Sequence, residues 1–180
     1  MHAIVLTFET ERDQFLRDIQ QELQARFGLS HVPTHPHCSF HVALSYNFEL
    51  TEAVLTHWAQ RVPPLRLTAS GYGLFPHDND VVIYSTISQT PRLTAIHVDL
   101  YNCMLPATKQ IHSLFAPDRW VPHVTYGNLP KTSFSSAMGW LVEQPPYWAS
   151  TCTEVAIMEF RNGTYVKRFA TELCGKPDTL

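Results

Sequence analysis

Charge is scarce in this 180-residue chain: Asp, Glu, Lys and Arg together make 16% of it, and 13 basic residues against 16 acidic leave −3 with histidines neutral. That balance gives no broad basic face, so duplex DNA is excluded as a partner and any nucleic-acid ligand is expected to be small or held locally. Cysteine is sparse too. Cys38, Cys103, Cys152 and Cys174 stand far apart with no CxxC pair, which excludes a zinc ribbon and a thioredoxin-like motif and predicts reduced, intracellular thiols. No run approaches the roughly 20 apolar residues of a membrane span, and Met1 to Phe8 turns acidic at Glu9 without the basic start or cleavage site of a signal peptide. A cytoplasmic protein is expected. With 44% hydrophobic residues the chain can fill a core, and its length fits one domain rather than two independent ones.

What the chain has in quantity is histidine, ten in all. An unperturbed imidazole pKa of about 6.5 suits proton transfer near neutrality, so their placement matters. Along the chain, Met1 to Phe8 reads as a strand. Thr10 and Asp13 suggest a capping box for a helix carrying Phe15, Ile19, Leu23 and Phe27, which Gly28 ends. His37 to Phe48 alternates as a strand does, with His37, Ser39, His41, Ala43 and Ser45 on one face. Thr51 is expected to open a helix that Pro63 and Pro64 close. A hairpin follows, Leu65 to Ala69 and Val81 to Ile87, with its bend between them. The order then repeats: a helix marked by Leu93, Ile96, Leu100 and Met104, a strand from Trp120 to Tyr126, a short helix at Phe134 to Leu141, and a hairpin, Glu154 to Phe160 and Tyr165 to Thr171, around Asn162-Gly163. Strand, helix and hairpin thus occur twice, at roughly 30–90 and 115–175. The predicted fold is a single α+β domain of two pseudo-symmetric lobes, each an antiparallel sheet with outer helices, around a central cleft.

One short pattern recurs in this frame. Pro36-His37-Cys38-Ser39-Phe40 and Pro122-His123-Val124-Thr125-Tyr126 are both Pro-His-x-(Ser/Thr)-aromatic. Strand residues two apart share a face, so each motif offers an imidazole beside a hydroxyl. If the two faces meet, His37 and His123 can divide acid and base work on a phosphodiester, while Ser39 and Thr125 hold phosphate oxygens. Arg119, four residues before His123, could clamp a phosphate or form a surface ion pair. Tyr126 and Phe40 could stack on a base or fill the core.

On these residues the chain resembles the 2H phosphoesterases, which include the bacterial 2',5' RNA ligase-like proteins and the eukaryotic cyclic phosphodiesterases. The likeness runs over nearly the whole chain, including Gly71-Tyr72-Gly73-Leu74-Phe75-Pro76 followed by Val81-Val82-Ile83-Tyr84, and the closing Glu154 to Met158 strand. The resemblance implies a bilobal α+β fold and metal-independent cleavage of 2',3'-cyclic or 2',5' phosphodiesters, with nucleotides or RNA ends as substrates and no cofactor.

The first motif can be read in two registers. His41 lies ten residues before Thr51 and His123 ten before Ser133, each at the approach to the next helix, so spacing favours His41. Chemistry favours His37, because Ala43 stands where the hydroxyl belongs and cannot donate to a phosphate. His37 with Ser39 is adopted, and His41 is expected in the same cleft as a substrate-binding residue. Two other readings stay open: a non-catalytic module binding phosphate or RNA ends, and a metal-dependent hydrolase using His31, His35, His37 and His41. A monomer is expected.

Overall fold

Apolar residues at nearly every position from Ala3 to Leu6 make the first strand a fully buried one, β1 (His2–Thr7), hydrogen-bonded on both edges. The computed structural model describes residues 1–161 and 164–176; the expected Asn162-Gly163 turn lies outside the described residues. After β1 come α1 (Thr10–Phe27), β2 (His37–Tyr46), α2 (Phe48–Arg61), β3 (Leu65–Pro76), β4 (Asp80–Ile87), α3 (Pro91–Met104), β5 (Thr108–Ile111), β6 (His123–Pro130), α4 (Phe134–Leu141), β7 (Tyr147–Cys152), β8 (Glu154–Arg161) and β9 (Thr164–Glu172).

Several element ends differ from the sequence reading, each for a local reason. The residue before α1 is Glu9, which makes no side-chain cap. Thr10 is already helical, so the expected capping box does not form, and Asp13 pairs with Arg17 one turn on. Gly28 does end the helix, in the left-handed conformation (φ 75°) that glycine adopts without penalty. α2 starts at Phe48 rather than Thr51 because the Asn47 side chain accepts the Leu50 N–H. β3 runs on through Gly71 and Gly73 to Pro76, which confines the bend to residues 77–79. β5 and β7 were not expected.

The strands form one antiparallel sheet in the order β7-β3-β4-β6-β2-β1-β8-β9, with β5 attached to β2. It curls into two lobes, β7-β3-β4-β6 and β2-β1-β8-β9. Each lobe takes its motif strand from one half of the sequence and its hairpin from the other, since β3-β4 pairs with β6 and β8-β9 reaches β2 through β1. α1 and α4 pack on the β6 lobe, α2 and α3 on the β2 lobe. The lobes join where β2 and β6 meet at the single pair Cys38 and Val124. Beyond it the strands part, and β5 takes over the edge of β2, with Ala43 opposite Ile111 and Tyr46 opposite Thr108.

A continuous apolar core lies between the sheet and the helices, including Leu16, Leu23, Phe40, Trp58, Ile83, Ile96 and Tyr126. A second, small cluster of Ala3, Val5, Val42, Ala156 and Met158 lies apart from it, with Phe115 and Tyr165 packed alongside. Two β-bulges decide what lies on which face. In β2, Val5 pairs with Ser39 and Ile4 with His41, leaving Phe40 as the extra residue. In β6, Tyr84 pairs with Thr125 and Ile83 with Gly127, leaving Tyr126 as the extra residue. The motif aromatics are therefore the bulged residues of both strands, and alternation reverses beyond each.

The reversal in β2 carries His41 into the core. It is fully buried, with Nδ1 2.7 Å from the Tyr46 hydroxyl and no partner for Nε2. His97 lies nearby, also buried, its ring stacked on Trp120 with centroids 3.9 Å apart. Burial lowers both imidazole pKa values to about 4, and at His97 the Phe40 and Phe115 carbonyls oppose the drop. An unfolded histidine binds its proton at about 6.5, so between there and pH 4 the unfolded chain holds more protons than the folded one. Stability is expected to be level above pH 6.5 and to fall below it, by up to about 1.4 kcal/mol per pH unit for each histidine. Urea midpoints from pH 8 to 4.5 check this; a midpoint unchanged down to pH 4.5 would contradict neutral burial of the pair.

Candidate active site

Where β2 meets β6, the pair Cys38 and Val124 points away from the cleft and is buried, while the residues flanking it point in. His37, Ser39, His123 and Thr125 line one cavity of about 360 Å³, together with Val42, Val82, Asn128, Phe115 and Tyr165. Pro36 and Pro122 precede the two histidines and fix the backbone in the same way on each side. His37 Nδ1 lies 2.7 Å from the His35 carbonyl, and His123 Nδ1 lies 2.7 Å from the Val121 carbonyl. A carbonyl only accepts, so Nδ1 carries the hydrogen in both rings and Nε2 is left with its lone pair.

The bulges supply further anchors. The Ser39 carbonyl accepts the Trp120 indole N–H at 3.0 Å, and the Thr125 and Tyr126 carbonyls both accept from the buried Gln20 amide at 3.3 Å. Backbone groups that a regular ladder would have satisfied are thus met by side chains, which fixes the carriers of Ser39 and Thr125. Aromatic rings support the imidazoles. Tyr165 meets His37 edge-on at 5.6 Å; Phe75 meets His123 at 5.2 Å and Tyr84 lies 5.0 Å from it. Gly73 makes the second contact possible, because a Cβ there would overlap the Tyr84 ring.

Burial is the main cause that lowers the pKa of both cleft histidines. At His37 the bond to the His35 carbonyl opposes it and the neighbouring His123 adds to it; at His123 the Val121 carbonyl opposes it. No lysine or arginine lines the central cavity among the described residues; besides His37 and His123, the imidazoles of His31 and His112 line it.

The structure brings His37, Ser39, His123 and Thr125 together and separates them from four other residues named from the sequence. His41, expected in the cleft, lies behind it because the Phe40 bulge turns it inward. Tyr126, expected as a stacking platform, is 1% exposed, its hydroxyl 2.7 Å from Ser85 Oγ; Phe40 likewise fills the core. Arg119 is exposed, 3.4 Å from Ser113 Oγ, and borders a side cavity that adjoins His123. Among the described residues no three His, Cys, Asp or Glu side chains group to hold a metal ion: His31 and His37 line the central cavity, but His35 bonds to Arg17 and His41 is in the core.

Sequence reasoning missed His31, Asn128, His112, Phe115 and Tyr165 as cleft residues. Asn128 could have been found by shifting the alternation one residue after Tyr126. His112 had no sequence signal, because it reaches the cleft through the pairing of β5 with β2 and the bond from its N–H to the Val42 carbonyl.

The family model for the 2'-5' RNA ligase superfamily matches residues 43–164, a span that holds the second motif and begins after the first. The fold recurs in solved structures of low identity. TT0787 of Thermus thermophilus is 15% identical, with 97% of this chain and 98% of that one covered and a TM-score of 0.64. E. coli LigT complexed with NADP+ is 16% identical, covered 96% and 97%, at 0.59. Kluyveromyces marxianus Usb1 is 11% identical, covered 92% and 96%, at 0.50. No curated protein matches the sequence. A curled antiparallel sheet with two inward-facing histidine motifs is the architecture of the 2H phosphoesterases. The chain belongs to the 2'-5' RNA ligase superfamily within that class.

Gly73→Ala tests how the His123 pocket is held. Forcing the Tyr84 ring aside opens His123 to water, so its NMR titration should move up toward 6.5 while that of His37 stays in place. The overpacking should cost about 1–3 kcal/mol in a denaturation curve. An unshifted His123 titration would show that Tyr84 does not shield it.

Proposed function

We propose that the protein hydrolyses 2',3'-cyclic or 2',5' phosphodiesters of nucleotides or RNA ends without a metal ion, with His37 and His123 as acid and base. One observation carries this reading: two imidazoles in one cleft, each with Nδ1–H tied to a carbonyl and Nε2 free, each with a hydroxyl two residues along its strand. One Nε2 takes the proton from attacking water as the water oxygen bonds to phosphorus. The other, protonated, gives its proton to the ribose oxygen as the P–O bond breaks. Ser39 and Thr125 donate to the nonbridging oxygens, where charge accumulates. Support for a nucleotide comes from the solved LigT complexes with 3'-AMP, with phosphate and with ATP. Superfamily membership supports phosphoesterase chemistry in general. The protein is proposed to act as a monomer in the cytoplasm; no helix among the described residues is long and apolar enough to cross a membrane.

The lowered pKa values set the pH dependence. The productive form holds one proton between two imidazoles whose pKa values both lie below 6.5, so kcat/KM should be bell-shaped with its optimum on the acid side of 6.5. A bound phosphodiester anion favours the protonated imidazoles, and the kcat profile should lie at higher pH. His37→Ala and His123→Ala should each lower kcat for a 2',3'-cyclic nucleotide by about 10²–10⁴-fold. Excess chelator should change nothing, and His41→Asn should act on stability rather than on the pH optimum. Turnover that survives in both alanine variants, or vanishes with chelator, would overturn the mechanism. Phosphate binding without turnover of any diester would select a non-catalytic binding module.

A further inference from the structure

Beside His123 the cleft opens into a side cavity of about 280 Å³ walled by Phe75, Val82, Leu114, Phe115 and Val121. Leu114 is 51% exposed and Val121 43%, so apolar side chains stand uncovered next to a site that handles a charged group. The polar residues of its lining are His112, Arg119 and His123.

His112 borders both this annex and the central cleft. Its backbone is fixed by the 2.9 Å bond to the Val42 carbonyl, and its ring lies edge-on to Phe115 at 5.8 Å. The Leu114 N–H donates to Nδ1 at 3.3 Å. That bond sets the tautomer opposite to the one in the two motif histidines. With Nδ1 accepting, the hydrogen of the neutral ring sits on Nε2, so His112 offers a donor where His37 and His123 offer lone pairs. An apolar slot whose lining includes an imidazole N–H and a guanidinium suits a flat ring whose faces are apolar and whose edge carries acceptors. An aliphatic chain would leave both donors unused.

We propose that the annex is the subsite for a heteroaromatic ring carried by the phosphodiester, and that His112 is a specificity-determining residue donating through Nε2 to the edge of that ring. The proposal rests on the phosphodiester reading above for its substrate class. It concerns binding, and so can be tested apart from turnover.

Titration calorimetry at pH 7 with 3'-AMP, ribose 3-phosphate and inorganic phosphate, on the full chain and on His112→Phe, His112→Gln and Leu114→Asp, provides the test. The wild type should bind 3'-AMP more tightly than ribose 3-phosphate. His112→Phe keeps a ring but loses the donor, and should weaken 3'-AMP about fivefold to tenfold with phosphate unchanged. His112→Gln restores an N–H and should recover most of the loss. Leu114→Asp places a carboxylate in the slot and should weaken 3'-AMP from the apolar side. Equal affinity for 3'-AMP and ribose 3-phosphate in the wild type would overturn the proposal, as would 3'-AMP affinity unchanged in His112→Phe, or phosphate affinity falling in parallel. Tighter binding of an alkyl phosphate than of 3'-AMP would assign the annex to an aliphatic chain and also overturn it. If no cyclic phosphate is turned over but the His112-dependent preference persists, the hydrolase reading fails and this one stands.

Discussion

One extra residue in each motif strand, Phe40 in β2 and Tyr126 in β6, decides which side chains reach the cleft. Without the bulges, strict alternation would carry His41 and Gly127 onto the cleft face and bury Val42 and Asn128. With them, each strand sends in an imidazole, a hydroxyl and then, three residues further, Val42 or Asn128. Each large ring locks its bulge from behind by packing in the core. The carbonyls freed by the irregularity find the Trp120 indole on one side and the Gln20 amide on the other. The site is thus held from the core outward, by the same aromatic burial that holds the lobes to their helices.

Among the described residues, no lysine, arginine or carboxylate side chain lines the cleft. On the proposed reading, the single negative charge of a phosphodiester would meet hydroxyls and imidazoles that can take up a proton. Burial makes that uptake harder, while an anion between the two rings would make it easier. Under the proposed mechanism, a bound anion would itself favour the state in which one ring is charged and the other is not. The buried histidines behind the strand, His41 and His97, share the depressed pKa without sharing the cleft, so acid acts on the fold and on the site through different residues.

Much of this was legible in the sequence. The periodicity of α1, α3 and α4, the hairpin partners and the two Pro-His-x-(Ser/Thr)-aromatic strands follow from local rules, and the doubled motif indicated one shared cleft. His41 shows where such reading ends. A bulge depends on how the neighbouring strand is paired, and nothing in the alternation of residues 37–46 announces it. The exchange of hairpins between lobes is equally non-local, because strand-helix-hairpin order is the same whether a hairpin pairs with its own motif strand or with the other. β5 is hidden for a related reason: Thr-Lys-Gln-Ile is a strand only because β2 has an open edge where β6 departs.

That single pair at the seam also fixes the behaviour of Cys38. It stands between His37 and Ser39, one residue from each, yet its side chain faces the core and burial pushes its thiol pKa up to about 12. A thiol is nucleophilic as its thiolate, so burial makes this sulfur a poor nucleophile near neutral pH. A cysteine in the middle of a candidate catalytic motif ordinarily suggests redox control. Here it is inert packing, and its reactivity would instead report the moment at which the two halves of the sheet come apart.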